Sequence, residues 1–169
     1  MTGVQTCALP IFIEWLVEQK RRSLVGNIGI ATSPTLALNV LRSTSAMDAA
    51  QVPSNILSPA ISALDNVAPA TLRTTHSAIA FPLARINERV ASDSVWAAQF
   101  AKCAEIDLRD RGALAKLMLA WALSENANGI VILGASNPKH YWDAASVSQS
   151  VDKHRLQSVS EFLAATLPA

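Results

Sequence analysis

The sequence predicts an α/β fold built around a parallel sheet, and three observations carry that prediction. Short apolar runs alternate with longer amphipathic stretches along the chain, and turn or helix-start signals separate them. Half of the 169 residues are hydrophobic and only 16% are charged, a composition that can bury a core and lies far from that of disordered chains. Strands that alternate with helices imply parallel pairing through right-handed crossovers. Two architectures meet this rhythm, a doubly wound open sheet and a (β/α)8 barrel. Neither a GxGxxG nor a GxxxxGK[ST] stretch occurs, so the usual signature of the first is missing.

The elements follow in order. From residue 12 an amphipathic helix places Phe12, Ile13, Leu16 and Val17 on one face, with Glu14, Glu18, Gln19 and Lys20 elsewhere. Gly26-Asn27 breaks it before a short strand at 28–31. Ser33-Pro34 reads as an N-cap followed by proline at the first helical position, and the helix runs toward Thr44. A second strand at 49–53 should end early, because Pro53 cannot donate to a ladder. A weak helix is expected at 59–67 and a third strand at 72–79. Residues 81–112 read as a long, less regular connection with helix only near 94–105. The clearest helix spans 113–126, where Leu114, Leu117, Met118 and Trp121 form a buried stripe. Asn128-Gly129 should cap it before a fourth strand at 130–133, and a last helix starts at Lys139.

Several function classes are excluded at this level. A formal charge of +1 leaves no electrostatic footprint for nucleic acid. Lys20, Arg21 and Arg22 end a helical pattern, where they complement the helix dipole. Cys7 and Cys103 make neither a disulfide framework nor a metal-ligand spacing, so no metal site is expected and a cytoplasmic setting is the default. No apolar run is long enough to span a membrane. Trp15, Trp96, Trp121 and Trp142 read as packing residues. Glu105, Asp107 and Asp110 read with their neighbouring arginines as a solvated charge cluster, and His154 as surface.

Residues 1–11 stand apart. They carry no charge and lack the basic segment that a secretory signal needs. The string resembles the translation of a common short-read sequencing adapter, with GTG as initiator. Native coding sequence is therefore expected to begin near Phe12 and to extend further upstream, leaving 12–169 as the segment to interpret.

Four pieces in sequence order give that segment an affinity. Residues 21–30 enter the first strand through Gly26 and Gly29. Gln51-Val52-Pro53-Ser54-Asn55 closes the second, His76-Ser77 lies in the third, and Trp121-Ala122-Leu123 leads through Val131-Ile132-Leu133 to Gly134-Ala135-Ser136-Asn137-Pro138. In this order the pieces resemble the second half of the aldo/keto reductase family, over most of residues 12–148. The resemblance implies a partial (β/α)8 TIM barrel, from about its fourth helix to its eighth strand and helix. It also implies a parent that reduces aldehydes or ketones by hydride transfer from NADPH.

Carried over position by position, the resemblance makes Gln51 a hydrogen-bonding partner of the nicotinamide carboxamide. It sets His76 against the nicotinamide face and Ser77 near the pyrophosphate. Gly134, Ala135, Ser136 and Asn137 lie at a strand end that opens a helix, where unpaired N–H groups and the helix dipole suit an adenosine phosphate. Lys139 or His140 would meet the ribose phosphate or adenine. Three positions depart from the family: Ala31-Thr32 replaces Ser-Asn, Gly134 stands where several members have lysine, and His140 where many have arginine.

The tyrosine that donates a proton to the carbonyl oxygen in this family, with its lysine, aspartate and histidine, belongs to strands before the fifth. Tyr141 is the only tyrosine here and follows the last strand, so no catalytic residue is assigned to this chain. The expected partners are the cofactor and, in the parent, a small carbonyl substrate. One alternative is a non-catalytic NADP(H)-binding module of the same fold, acting as a sensor or docking protein. Another is an unrelated barrel enzyme. Plainer roles exist too: His76 as a satisfied strand residue, Gln51 as a strand-end polar group, Ser136 and Asn137 as a helix cap.

Overall fold

A computed structural model describes residues 5–135, 137–147 and 152–167. Among these residues the chain forms eight helices and one sheet of four parallel strands. The order is α1 (Gln5–Arg21), β1 (Gly29–Ala31), α2 (Pro34–Ser43), β2 (Ala49–Pro53), α3 (Ile61–Val67) and β3 (Leu72–His76). Then come α4 (Ala80–Ser92), α5 (Ser94–Ala104), α6 (Arg111–Glu125), β4 (Ile130–Val131), α7 (Pro138–Val147) and α8 (Lys153–Thr166).

The strands lie in consecutive order, β1-β2-β3-β4, with no reversal. Registered residues in a parallel sheet share a face, so the pairs Val52↔Thr75 and Thr75↔Val131 put those three side chains on one side. Val52 belongs to the core formed with α2 and α3 through Ala37, Val40, Leu41, Ile61 and Leu64. Val131 packs on a second core in which Phe100, Leu117, Met118, Trp121, Val159 and Leu163 meet from α5, α6 and α8. Both cores therefore cover the same face. The opposite face bears Ala49, Gln51, Pro53, Leu72, Thr74, His76 and Ile130, all half-buried or exposed. A doubly wound sheet has helices on both faces and reverses its strand order at a switch point, and among the described residues this sheet does neither.

Local chemistry explains most boundaries. Ser33 and Pro34 start α2 as expected, with the Ser33 hydroxyl accepting from the Leu36 amide. Asp93, Asp110 and Asp152 cap α5, α6 and α8 through their side chains. The basic end of α1 is engaged locally: Lys20 Nζ donates to both carboxylate oxygens of Asp48 at 2.6 and 2.7 Å, and Arg21 pairs with Glu18. Asp48 also accepts from the Ile28 amide, which ties α1 to the start of the sheet.

The structure departs from the expectations at several elements. The first helix starts at Gln5 instead of Phe12, and only Ile13 and Leu16 of its expected face pack on the core, leaving Phe12 and Val17 exposed. Residues 81–112 hold the expected helix near 94–105, α5, and before it a further helix, α4, in place of irregular connection. Pro82 lies in the first turn of α4, where its missing N–H costs nothing, and Ile86 packs into the core behind it. The third strand stops at His76, because Ser77 takes a left-handed φ of 63°. The fourth strand is correspondingly short: the Ile132 amide bonds the Thr75 carbonyl at 2.7 Å, and beyond that β3 offers nothing to pair with. Gly129 does not cap α6 through a positive φ. It sits where a Cβ would collide with Asn126 and the Arg73 carbonyl, so its role is close approach. Trp96 and Trp121 are core residues, whereas Trp15 and Trp142 are exposed. The acidic residues at 105, 107 and 110 are solvated, as expected.

Candidate functional site

In a parallel sheet all carboxyl ends open on one side, so the residues following β2, β3 and β4 share a rim. Asn126 fixes the relative height of the last two strands. It is buried at the end of α6 and its amide faces the carbonyls of Ile130 (3.1 Å) and Arg73 (3.3 Å) and the Thr75 hydroxyl (3.4 Å). One side chain thus bridges β3 to β4, while its own Oδ1 stays unpartnered. Arg73 reinforces the base of β3 on the helix side, donating to the Pro69 and Thr71 carbonyls. Its Nε lies 2.7 Å from Asp65 Oδ1, an ion pair although the N–H does not point at the oxygen.

On the uncovered face, Gln51 registers with Thr74 and Pro53 with His76. Gln51 and His76 are therefore diagonal neighbours on adjacent strands, His76 one pleat nearer the rim. His76 Nδ1 lies 2.8 Å from the Ser77 hydroxyl, a contact made possible by the left-handed turn at Ser77. A non-glycine residue in that region costs about 1 kcal/mol or more and tends to persist where surroundings over-determine it.

Beside the rim lies a groove of about 710 Å³ between the start of α4, the first half of α6, the segment after β4 and α7. Its floor is apolar, formed by Ala78, Leu83, Ala115 and Leu119; its polar side chains are Ser77, Lys116, His140 and Asp143. Of the residues singled out from the sequence, Ser77, Gly134, Ala135 and His140 line it. Gln51 and His76 lie outside it on the sheet face, Asn137 just before α7 and Lys139 in its first turn are exposed and do not line it, and Ser136 lies outside the described residues. Lys116 and Asp143 are groove residues that the motifs did not reveal. Lys116 is the polar flank of the α6 stripe, a position that sequence spacing reads as solvent-facing.

The segment after β4 is braced from α7. Tyr141 donates its hydroxyl to the Ala135 carbonyl at 2.6 Å and accepts from the Ala135 amide at 3.4 Å. Asn137 accepts from the Lys139 amide at 3.0 Å, and the His140 amide bonds the Asn137 carbonyl. Pro138 has no N–H. Of the donors expected to be open to a phosphate, the Ala135, Lys139 and His140 amides are thus already used. An anion at this helix end would be held by the Lys139 and His140 side chains and the helix dipole.

A second cavity, of about 290 Å³, lies between α6, α7 and α8 and is lined by the capping Asp110 and Asp152 with Lys116 and Arg155. Among the described residues no three His, Cys, Asp or Glu gather as a metal site, and no helix is long and apolar enough to cross a membrane. Comparison with protein-family models, with curated proteins and with solved structures finds no match.

Proposed function

We propose that the chain is the C-terminal half of a (β/α)8 barrel of the aldo/keto reductase type and carries the adenosine side of an NADP site. The observation that carries this reading is the sheet: four consecutive parallel strands with Gln51 and His76 on the face that the described helices leave uncovered, and with Ser77, Gly134, Ala135 and His140 lining a groove beside their carboxyl ends. Barrel enzymes keep their sites at that end of their strands.

The residues present fit a dinucleotide phosphate. The groove is apolar at its floor and polar along its edges, the usual form of a cofactor site. Lys139 and His140 would hold the ribose phosphate, Ser77 the pyrophosphate, and Gln51 and His76 the nicotinamide end across the uncovered face. When bound, NADPH supplies the hydride for carbonyl reduction. The chain's own residues bind and orient it; none supplies the proton for the carbonyl oxygen. The one tyrosine is committed to the Ala135 peptide, so the chain by itself binds without turning over.

Adenosine 2′,5′-bisphosphate tests this reading directly, because it carries the phosphate that separates NADP from NAD. Calorimetric titration of the full chain should show saturable binding that exceeds 5′-ADP at least about tenfold, a preference worth about 1.4 kcal/mol. The double substitution Lys139→Ala, His140→Ala should abolish the preference. Equal affinity for both nucleotides, or no saturation with either, overturns the assignment.

A further inference from the structure

Both outer edges of the sheet are unpaired among the described residues. Backbone groups in a parallel strand turn alternately to its two neighbours. The Thr32 amide bonds the Gln51 carbonyl, so Thr32 and Ile30 face β2 and Ala31 between them faces outward. On the far side the Ile132 amide bonds Thr75, so Val131 faces outward. The edges are parallel, equally free and set four strands apart, half the number that closes a small barrel.

The uncovered face continues the pattern. Leu72, Ile130 and Ile132 are 44%, 49% and 45% exposed there. At the opposite edge the same face carries only Gly29 and Ala31, and a Cβ on Gly29 would already come within 2.8 Å of the Ala49 carbonyl. Large residues on β4 and small ones on β1 are complementary if those edges meet. No residue of this face among Gly29, Ala31, Ala49, Gln51, Pro53, Leu72, Thr74, His76 and Ile130 is an acid, lysine or arginine, so a like copy meets no charge repulsion. Helix α1, which packs through Ile13 and Leu16 on the core that β1 shares, holds Phe12 and Trp15 stacked at 5.9 Å and 54% and 55% exposed. The chain exposes 10523 Å². A compact chain of 18.0 kDa should expose roughly 8,000 Å², and the excess of roughly 2,500 Å² per chain, about 5,000 Å² for a pair, lies at the upper end of what obligate dimers bury.

We infer that two copies of this chain close on each other into one eight-stranded parallel barrel, β4 of each copy pairing with β1 of the other. The interface is heterologous strand by strand yet closes after one two-fold rotation, so growth stops at two. Ile130 and Ile132 then fill the space above Gly29 and Ala31 of the second copy. The inference rests on the barrel-segment part of the proposed function and is independent of the cofactor.

Sedimentation equilibrium and light scattering of the full chain, from low to high micromolar concentration, test it. The expected species has twice the chain mass. Ala31→Pro removes an N–H that the single copy leaves unused, at an edge position where a strand tolerates proline, and it should weaken association at least about 100-fold. Leu72→Glu places a carboxylate that a single copy leaves in water but a closed barrel would bury, and it should do the same. Circular dichroism checks that both variants stay folded. A monomer throughout, an open-ended series of oligomers, or a dimer indifferent to both substitutions overturns the inference. A dimer that loses association in both variants yet binds no adenosine 2′,5′-bisphosphate upholds it while sinking the reductase reading.

Discussion

Replacing Asn126 by alanine probes the joint that sets the height of β4. The Asn126 amide has two protons and faces three oxygens, at 3.1, 3.3 and 3.4 Å. Two protons make at most two full hydrogen bonds, and the longer contacts are weak. The Ile130 carbonyl contact is worth about 1 kcal/mol and the shared pair about 1 kcal/mol together; the lost side-chain volume adds a fraction more. The substitution should therefore cost about 2–3 kcal/mol, which for a chain of this length lowers the melting temperature by about 5–10 °C. A thermal melt followed by far-UV circular dichroism reads it. Asn126→Asp sharpens the test: it keeps the shape but turns a donor into an anion facing three oxygens, so it should cost more than alanine. A melting shift under about 2 °C for alanine, or an aspartate milder than alanine, would refute hydrogen-bond donation as the basis of the joint.

Two further predictions concern neighbouring joints. Gly129→Ala should push Asn126 or the Arg73 carbonyl aside and destabilise by at least about 2 kcal/mol, whereas Gly26→Ala, with open space around it, should be nearly neutral; equal urea midpoints for the two would contradict the packing argument. Asp48 is held below the usual carboxylate range, first by the Lys20 hydrogen bond and next by the Ile28 amide. A carboxyl depressed in the folded state contributes stability that is complete above its unfolded value and fades as pH falls through its folded one. Urea midpoints should thus fall more steeply in the unsubstituted chain than in Asp48→Asn once the pH drops below about 4, and parallel curves would count against the contact.

The rhythm of the fold was legible because each strand and helix announces itself locally. Apolar runs at 28–31 and 49–53, the Ser33-Pro34 cap and the stripe on α6 all led to elements found within a residue or two. What stayed hidden depended on distant partners. The length of β4 is set by where β3 stops, and β3 stops at His76 because of Ser77, a residue type with no intrinsic preference for a left-handed φ. Helix α4 was obscured by Pro82, which reads as a breaker until its place in the first turn is known. Helix α8 was legible and overlooked: Asp152 caps it, and Leu156, Val159 and Leu163 repeat at helical spacing. At the candidate site, motifs pointed to Ser77, Gly134, Ala135 and His140. Lys116 and Asp143 reach the same groove only because α6 and α7 pack together. The pairing of the first-turn amides of α7 was equally invisible, since it depends on how Asn137 turns its side chain.

The unbroken order of the strands also bears on how the chain comes into being. Each strand needs only the one made just before it, so the sheet can grow as a strip in the direction of synthesis. β1 and β2 can pair, with α2 folded over them, while α6 is still being translated, and no earlier strand must wait for a later one to slot between its neighbours. Loop-closure costs stay local, as in repeat arrays, and each new crossover adds to an already folded end. The last strand is the exception. Fifty-three residues, 77–129, separate the end of β3 from the start of β4, and α6 must deliver Asn126 to the joint across them, so β4 should be the slowest strand to dock and the first to leave.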